Sequence, residues 1–145
     1  MRANLQETTA SPVVESAITP RYADLFSSML YADRMRADAA FDAVLFDRHL
    51  AVPSLIEQYK TAKENEILRY LCVQLLGFSD SQKAINALIV ALDDTSAIVR
   101  REACFALEDL KAFDAIDAIE RRTQDMDASV RQVAQEAFNF LSRKK

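Results

Sequence analysis

Glycine and proline are scarce in this sequence of 145 residues. It contains one glycine, Gly77, three prolines and no tryptophan. Turn-rich β-sheets need glycine where the backbone takes a positive φ, and loops that hold a phosphate or a dinucleotide need several glycines where the backbone approaches the ligand. The scarcity therefore excludes those folds and those classes of enzyme, and it predicts an almost entirely helical protein.

An excess of positive charge and long apolar runs are also lacking. The formal net charge is −4 and the pI is about 5.0, so no global positive field would attract nucleic acid. No run approaches the roughly 18 apolar residues of a membrane span. The start of the chain has no basic segment followed by an apolar block, as a secretory signal would. We therefore predict no nucleic-acid partner, no membrane span and no secretory signal.

Side chains suited to catalysis or metal binding are few. His49 is the only histidine, and no second histidine, reactive serine motif or cysteine pair accompanies it. Cys72 and Cys104 lie in apolar helical segments, where packing is the usual role of a free cysteine. Two cysteines are too few for a disulfide framework, which favours a reducing, cytoplasmic compartment. We predict no catalytic residue, metal ion or cofactor, and we favour a protein that is not an enzyme.

Two groups of acidic residues precede expected helices. Asp93 with Asp94, and Asp125 with Asp127, could suggest acid–base chemistry or a divalent cation. Their positions at helix starts explain them more simply, because carboxylates there accept hydrogen bonds from free backbone N–H groups and complement the helix dipole. Asp127 is accordingly expected to cap the last helix.

Helical spacing of apolar residues divides the chain into two parts. It predicts an extended or mobile segment at residues 1–19 and a helical domain at residues 20–145, with eight helices that form four hairpins. The third helix is expected to begin at Pro53 after a turn near Leu50, because proline suits the first turn of a helix. The fourth is expected to end at Gly77, as a left-handed C-cap.

An arginine recurs at a fixed distance in the second half of the chain. Arg69, Arg100 and Arg131 lie 31 residues apart, and an apolar residue precedes each of them. A period of this length, with helical spacing inside each unit, is typical of a repeat solenoid.

Two interpretations of these arginines are open. They could line a groove and bind carboxylates or phosphate. Alternatively, each could bond to the preceding interhelical turn, Arg100 to Asp94 and Arg131 to Asp125 or Asp127, and so tie neighbouring repeats together by charge-assisted hydrogen bonds. We favour the second interpretation.

One repeat unit carries a recognisable motif. It reads Ala84-Ile85-x-Ala87-Leu88, then Leu92-Asp93-Asp94, then Val99-Arg100-x-x-Ala103-x-x-Ala106-Leu107. This unit resembles a HEAT-like repeat of the short variety found in phycobilisome (PBS) lyase subunits, and the resemblance is good over about residues 50–142 and weaker over 20–49. It implies an all-α fold, a right-handed α-α superhelix of the HEAT or armadillo type with about four helical hairpins.

The resemblance leaves several functions possible. Concave solenoid surfaces bind extended or helical stretches of other proteins. Our leading hypothesis is a non-catalytic protein–protein interaction module, an adaptor or chaperone-like protein, whose partner could be a phycobiliprotein or another photosynthetic component. The alternative is a subunit of a phycobilin lyase, or a phycobilisome-associated factor, that handles a bilin and its apoprotein. The candidate partner-binding residues lie on the second helices of the hairpins: Arg69, Tyr70, Gln74, Arg101, Glu108 and Gln135.

The first hairpin is unusually rich in aromatic residues. It contains the aromatic residues Phe26, Tyr31, Phe41 and Phe46. In a terminal repeat such a surface must be covered. Either residues 1–19 or a partner protein could cover it.

Overall fold

The structure is a computed structural model that describes residues 18–144. The predicted N-terminal segment, residues 1–19, lies outside the described residues except for Ile18 and Thr19. The backbone N–H of Thr19 donates to Ser54 Oγ at 3.3 Å, and Ser54 is buried. The helical domain therefore begins with a contact between the start of the first helix and the third helix.

Eight α-helices and two short 3₁₀ turns make up the described part of the chain. The helices are α1 (Pro20–Ser28), α2 (Arg34–Phe46), α3 (Arg48–Thr61), α4 (Glu66–Gly77), α5 (Ile85–Ala91), α6 (Ala97–Asp109), α7 (Ile116–Arg122) and α8 (Ala128–Lys144). The 3₁₀ turns Gln82–Ala84 and Phe113–Ala115 lead into α5 and α7. No strand occurs between residues 18 and 144.

The helices pair into four antiparallel hairpins, α1 with α2, α3 with α4, α5 with α6 and α7 with α8. The second helices α4, α6 and α8 also pack side by side, so the last three hairpins stack on one another. The core runs the length of this stack, and its large side chains include Leu55, Leu76, Leu107 and Leu141, all fully buried. Burial of each such side chain stabilises the fold by about 1.5–3 kcal/mol. The predicted all-α solenoid of four hairpins is confirmed.

The start of α3 differs from the prediction. The helix begins at Arg48, and both Leu50 and Pro53 lie inside it. Asp47 is at once the C-cap of α2 and the N-cap of α3, with φ −96° and ψ 23°, so the chain turns at a single residue and needs no loop near Leu50. Pro53 lacks an N–H and therefore omits one hydrogen bond of the second helical turn.

Gly77 also has a different role from the predicted left-handed cap. It lies in α4 without a positive φ, whereas the left-handed residues are Asp80 (φ 56°) and Lys111 (φ 52°). A Cβ at position 77 would lie 2.7 Å from the Cβ of Ala106 on α6. Glycine is therefore required here because α4 and α6 approach each other closely.

Three further predictions concern single side chains. Asp127 caps α8 as predicted, since its Oδ1 accepts from the backbone N–H groups of Ser129 at 2.8 Å and Val130 at 3.1 Å. Cys72 and Cys104 are free and buried, which confirms their packing role. His49, which the sequence places at an interhelical turn in an exposed or capping role, is exposed but lies in the first turn of α3.

Candidate protein-binding surface

The arginines form a ladder along one edge of the solenoid. Arg100 Nη1 donates to the backbone carbonyl of Asp94 at 2.9 Å, while Nε and Nη2 each donate to the carboxylate of Asp125 at 2.9 Å. Arg69 repeats this arrangement, with Nη1 on the carbonyl of Lys63 at 2.7 Å and both other nitrogens on Asp94 at 3.1 Å. Each arginine thus bonds to the preceding interhelical turn, as predicted, and its carboxylate partner lies in the turn of the next hairpin, which the sequence did not predict.

Arg131 forms the backbone hydrogen bonds of this arrangement but not the carboxylate pair. Its Nη1 donates to the carbonyls of Asp125 at 2.7 Å and Met126 at 3.1 Å, so the predicted bond to Asp125 is made through the backbone. Within residues 18–144 no carboxylate pairs with its Nε and Nη2. The ladder therefore has two complete rungs in the described part of the chain.

The rungs keep their carboxylates ionised. Burial raises the pKa of Asp94, but hydrogen bonds from Arg69, Tyr59 and the backbone N–H of Ser96 outweigh it and bring the pKa below its ordinary value. Burial likewise raises the pKa of Asp125, and the hydrogen bonds from Arg100 and the backbone N–H of Asp127 bring it below its ordinary value. Ionised, fully bonded and buried groups of this kind hold the fold together and are not available to a partner.

A different set of positions forms a face across the three stacked second helices. On each helix these positions follow the spacing i, i+4, i+7, i+11, which places them on one side, and they recur every 31 residues. We call this set the second-helix face. It comprises Ile67, Leu71 and Gln74 on α4 with Phe78 at its C-cap, Ile98, Glu102, Phe105 and Asp109 on α6, and Ser129, Val133, Glu136 and Phe140 on α8.

The second-helix face exposes large apolar side chains. Ile67 is 53% exposed and Ile98, its equivalent one repeat later, is 43% exposed. Phe78 and Phe105 are each 40% exposed. Ile67 and Ile98 occupy equivalent positions on neighbouring helices, and Phe78 and Phe105 lie towards the other ends of the same two helices. The four side chains therefore belong to one surface. A group of exposed apolar side chains is typical of a surface that binds another molecule.

A groove borders this face between α2 and α4. Whereas α4, α6 and α8 pack directly on one another, α2 stands away from α4 and leaves an open cleft of about 460 Å³. Its walls are mostly apolar, with one ion pair, Arg34 to Asp38 at 3.3 Å, on the α2 side. The lining residues are Met29, Arg34, Ala37, Asp38, Phe41, Ile67, Tyr70, Leu71, Gln74 and Phe78.

Glu102 is the most unusual residue of the second-helix face. It occupies the position that is apolar in the flanking repeats, where Leu71 and Val133 stand. Burial, together with the nearby charge of Asp109, raises the pKa of Glu102 to about 7, although Arg101 and a hydrogen bond with Tyr70 act in the opposite direction. Burial also raises the pKa of Asp109. The α6 part of this face is therefore acidic, with Glu102 half-buried and Asp109 exposed.

The structure separates the candidate binding residues into two groups. Tyr70 and Gln74 line the groove, Arg101 lies beside Glu102, and Glu108 lies near Asp109 and Glu136. These four residues are therefore on or next to the second-helix face.

The other two candidates lie elsewhere. Arg69 is buried in the ladder with all three guanidinium nitrogens bonded. Gln135 follows the buried Cys104 by 31 residues, and it is exposed on α8 with its amide bonded to Asn139 at 3.0 Å. It therefore belongs to the side of α8 that would contact a further hairpin, and not to the second-helix face.

Sequence reasoning missed the part of this face that lies on α6. Ile98, Glu102 and Phe105 were not among the candidates, because attention to polar residues on second helices passes over apolar ones. The signal that could have found them is the comparison of equivalent positions, which shows a carboxylate at 102 between two apolar residues.

The first hairpin and the start of α3 expose further apolar side chains. Phe26 is buried and Phe41 lines the groove, but Phe46, at the end of α2, is 86% exposed, and Leu50, in the first turn of α3, is 75% exposed. Tyr31 is exposed beneath the guanidinium of Arg36, 4.3 Å from the ring centre. The prediction that residues 1–19 or a partner protein cover these side chains concerns residues that lie outside the described range, except for Ile18 and Thr19.

The described residues contain neither a metal-binding cluster nor a membrane-spanning helix. Between residues 18 and 144, no group of three or more His, Cys, Asp or Glu side chains is placed to hold a metal ion. No helix in that range has the length and apolar character needed to cross a membrane.

The repeated hairpins and their arginine ladder define the class of protein, an α-solenoid. Residues 52–139, more than half of the chain, match the family model of HEAT repeats, and the chain belongs to this family. Among solved structures it is similar to the complex of CpcE and CpcF of phycocyanin lyase from Nostoc sp. PCC7120, with 18% identity, coverage of 97% of this chain and 71% of that chain, and a TM-score of 0.46. No curated protein matches the sequence.

Proposed function

We propose that the protein is a non-catalytic protein–protein interaction module that binds its partner through the second-helix face. The observation that carries the proposal is the exposed patch of Ile67, Phe78, Ile98 and Phe105 beside the α2–α4 groove. Apolar and aromatic side chains are the usual anchors of a protein interface, and stacked repeats present them on an extended surface. The resemblance of the repeats to those of phycobilisome lyase subunits makes a phycobiliprotein the first partner to test.

Site-specific photo-cross-linking tests the proposal. A photoreactive phenylalanine analogue replaces Phe105 in one variant and Val90 in a matched control, and each variant is irradiated in an extract of its native source. Val90 is 62% exposed but lies on α5, a first helix. We expect a discrete cross-linked partner from position 105 and none from position 90. Equal cross-linking from both positions, or from position 90 alone, would refute the proposal.

A second candidate function is bilin handling, and the α2–α4 groove is the observation that favours it. A volume of about 460 Å³ lies in the range of small-ligand sites, and Arg34 on its wall could face a propionate. Mixing the protein with free bilin tests this candidate. A change in the visible absorbance that is lost in Arg34→Ala supports it, and an unchanged spectrum excludes it.

A further inference from the structure

We infer that the partner segment is a cationic amphipathic helix, which sets lysine or arginine side chains against Glu102 and Asp109 and apolar side chains against Ile98 and Phe105. This inference rests on the proposed function of the second-helix face. It adds the chemical class of the partner, which the exposed patch alone does not define.

The charge pattern of the face favours a positively charged partner. On α6 apolar and acidic residues alternate in the order Ile98, Glu102, Phe105, Asp109, and Glu136 follows on α8. The second-helix face contains no lysine or arginine at all. A partner that buries these carboxylates must supply positive charge, because an unpaired charge in an interface loses its hydration without compensation.

The carboxylates of the face differ from Asp94 and Asp125 in having no salt-bridge partner within residues 18–144, although Tyr70 donates a hydrogen bond to Glu102 and Arg101 lies beside it. Asp94 and Asp125 each accept two hydrogen bonds from a buried arginine. Among the described residues, Glu102 and Asp109 form no salt bridge. The pKa values differ accordingly, since those of Asp94 and Asp125 are lowered whereas those of Glu102 and Asp109 are raised. Glu102 and Asp109 are therefore the carboxylates of the face to which a cationic side chain of a partner would bind.

The shape of the face favours a helix over an extended strand. The backbone hydrogen bonds of α4, α6 and α8 are made within each helix, so there is no free edge to which a strand could be added. From Ile98 to Asp109 the face extends for about 16 Å along α6, the length of about three helical turns. A helix of this length matches the part of the face on α6.

The test uses three synthetic peptide probes and the isotope-labelled full chain. The peptides are cross-linked helices of about three to four turns that share a leucine face and differ only in their flanking residues, which are lysine, glutamine or glutamate. Binding is followed by the amide NMR signals of the protein. We expect the lysine peptide to shift signals of α6 around residues 98–109 and to bind about tenfold more tightly than the glutamine peptide.

Charge-removing variants locate the interaction. Glu102→Gln should weaken the lysine peptide about threefold to tenfold and leave the glutamine peptide unchanged. Glu102→Leu introduces the residue of the preceding repeat, Leu71. It should weaken the lysine peptide to the same extent while the protein stays folded. Glu120→Gln is the matched control, because Glu120 is exposed on α7, away from the second-helix face.

Each outcome decides the inference. If the glutamine or glutamate peptide binds residues 98–109 as tightly as the lysine peptide, the inference is overturned while the proposed function stands. Equal weakening by Glu102→Gln and Glu120→Gln would show general electrostatic attraction, and would also overturn it. If no peptide shifts these signals, the cationic helix is excluded, and the Phe105 cross-link alone decides whether the face binds a protein.

Discussion

Arg100 on α6 holds Asp125, in the turn before α8, through two hydrogen bonds of 2.9 Å each. The same relationship joins Arg69 to Asp94 one repeat earlier, and in both pairs the aspartate follows the arginine by 25 residues. Because each arginine also binds a carbonyl of its own turn, each rung connects two successive hairpins. The 31-residue period is thus a structural feature of the solenoid.

The ladder predicts a large loss of stability when one rung is broken. Arg100→Met leaves Asp125 buried without its main cation, and we expect the free energy of unfolding to fall by about 3 kcal/mol or more. Urea denaturation measures this change. Arg34→Met is the control, because it breaks an exposed pair with Asp38 and should cost less than about 1 kcal/mol. Similar small losses in both variants would contradict a stabilising ladder.

The close contact between α4 and α6 predicts an unusual response at Gly77. Gly77→Ala should destabilise the protein by about 1–3 kcal/mol, because the new methyl group would meet the Cβ of Ala106. In a helix without such a contact, the same change typically stabilises by about 0.5–1 kcal/mol. The double variant with Ala106→Gly should recover part of the loss. A stabilising effect of Gly77→Ala in urea denaturation would show that the helices are not in tight contact here.

The raised pKa of Glu102 predicts that the free energy of unfolding falls as the pH rises towards neutrality. Its pKa of about 7 in the folded state lies above the ordinary value of 4.5, so the folded state binds the proton more tightly. The loss develops as the pH rises from about 4.5 to 7 and amounts to about 1–2 kcal/mol after allowance for solvent screening. Glu102→Gln should remove most of this dependence. An unchanged pH profile of urea denaturation in that variant would contradict a raised pKa of the half-buried Glu102 carboxyl.

The ladder aspartates act in the opposite direction. The pKa values of Asp94 and Asp125 are lowered in the folded state, so their contribution is present above the ordinary carboxyl pKa and is lost as the pH falls through the folded values. Stability should therefore be greatest on the acid side of neutrality. At lower pH the contribution of the aspartates is lost, and at higher pH the ionisation of Glu102 lowers the stability.

The buried thiols predict slow alkylation. Burial raises the pKa of both Cys72 and Cys104 to about 12, so almost no thiolate is present at neutral pH and access is blocked. Mass spectrometry should show no iodoacetamide adduct on the native protein and two adducts in urea. Rapid modification of the native protein would mean that the core opens readily at these positions.

The sequence predicted the fold well because the repeats are regular. The period of Arg69, Arg100 and Arg131 and the apolar spacing are local features, and they suffice to place four hairpins. The errors concerned properties that depend on neighbouring elements. Gly77 was interpreted as a cap because glycine often ends a helix, but its position is determined by Ala106 on another helix.

The candidate surface was predicted less well. Arg69 was a plausible binding residue until the structure showed its carboxylate partner in the next hairpin, 25 residues away. The exposure of Phe105 could not be read from its residue type, since phenylalanine is usually buried. Only the packing of α4, α6 and α8 shows which apolar residues remain at the surface.

The central claim is that the regular arginines hold the fold while the second-helix face binds the partner. The most direct test measures the affinity of the partner identified by the Phe105 cross-link for four single variants. Ile98→Asp and Phe105→Asp place charge in the face, and Val90→Asp and Met126→Asp place it at exposed apolar positions elsewhere.

We predict that the first two variants lose the partner while they retain the urea midpoint of the wild type, and that the last two bind as the wild type does. Retained binding by Ile98→Asp and Phe105→Asp, or loss of binding by Val90→Asp and Met126→Asp, would contradict the account.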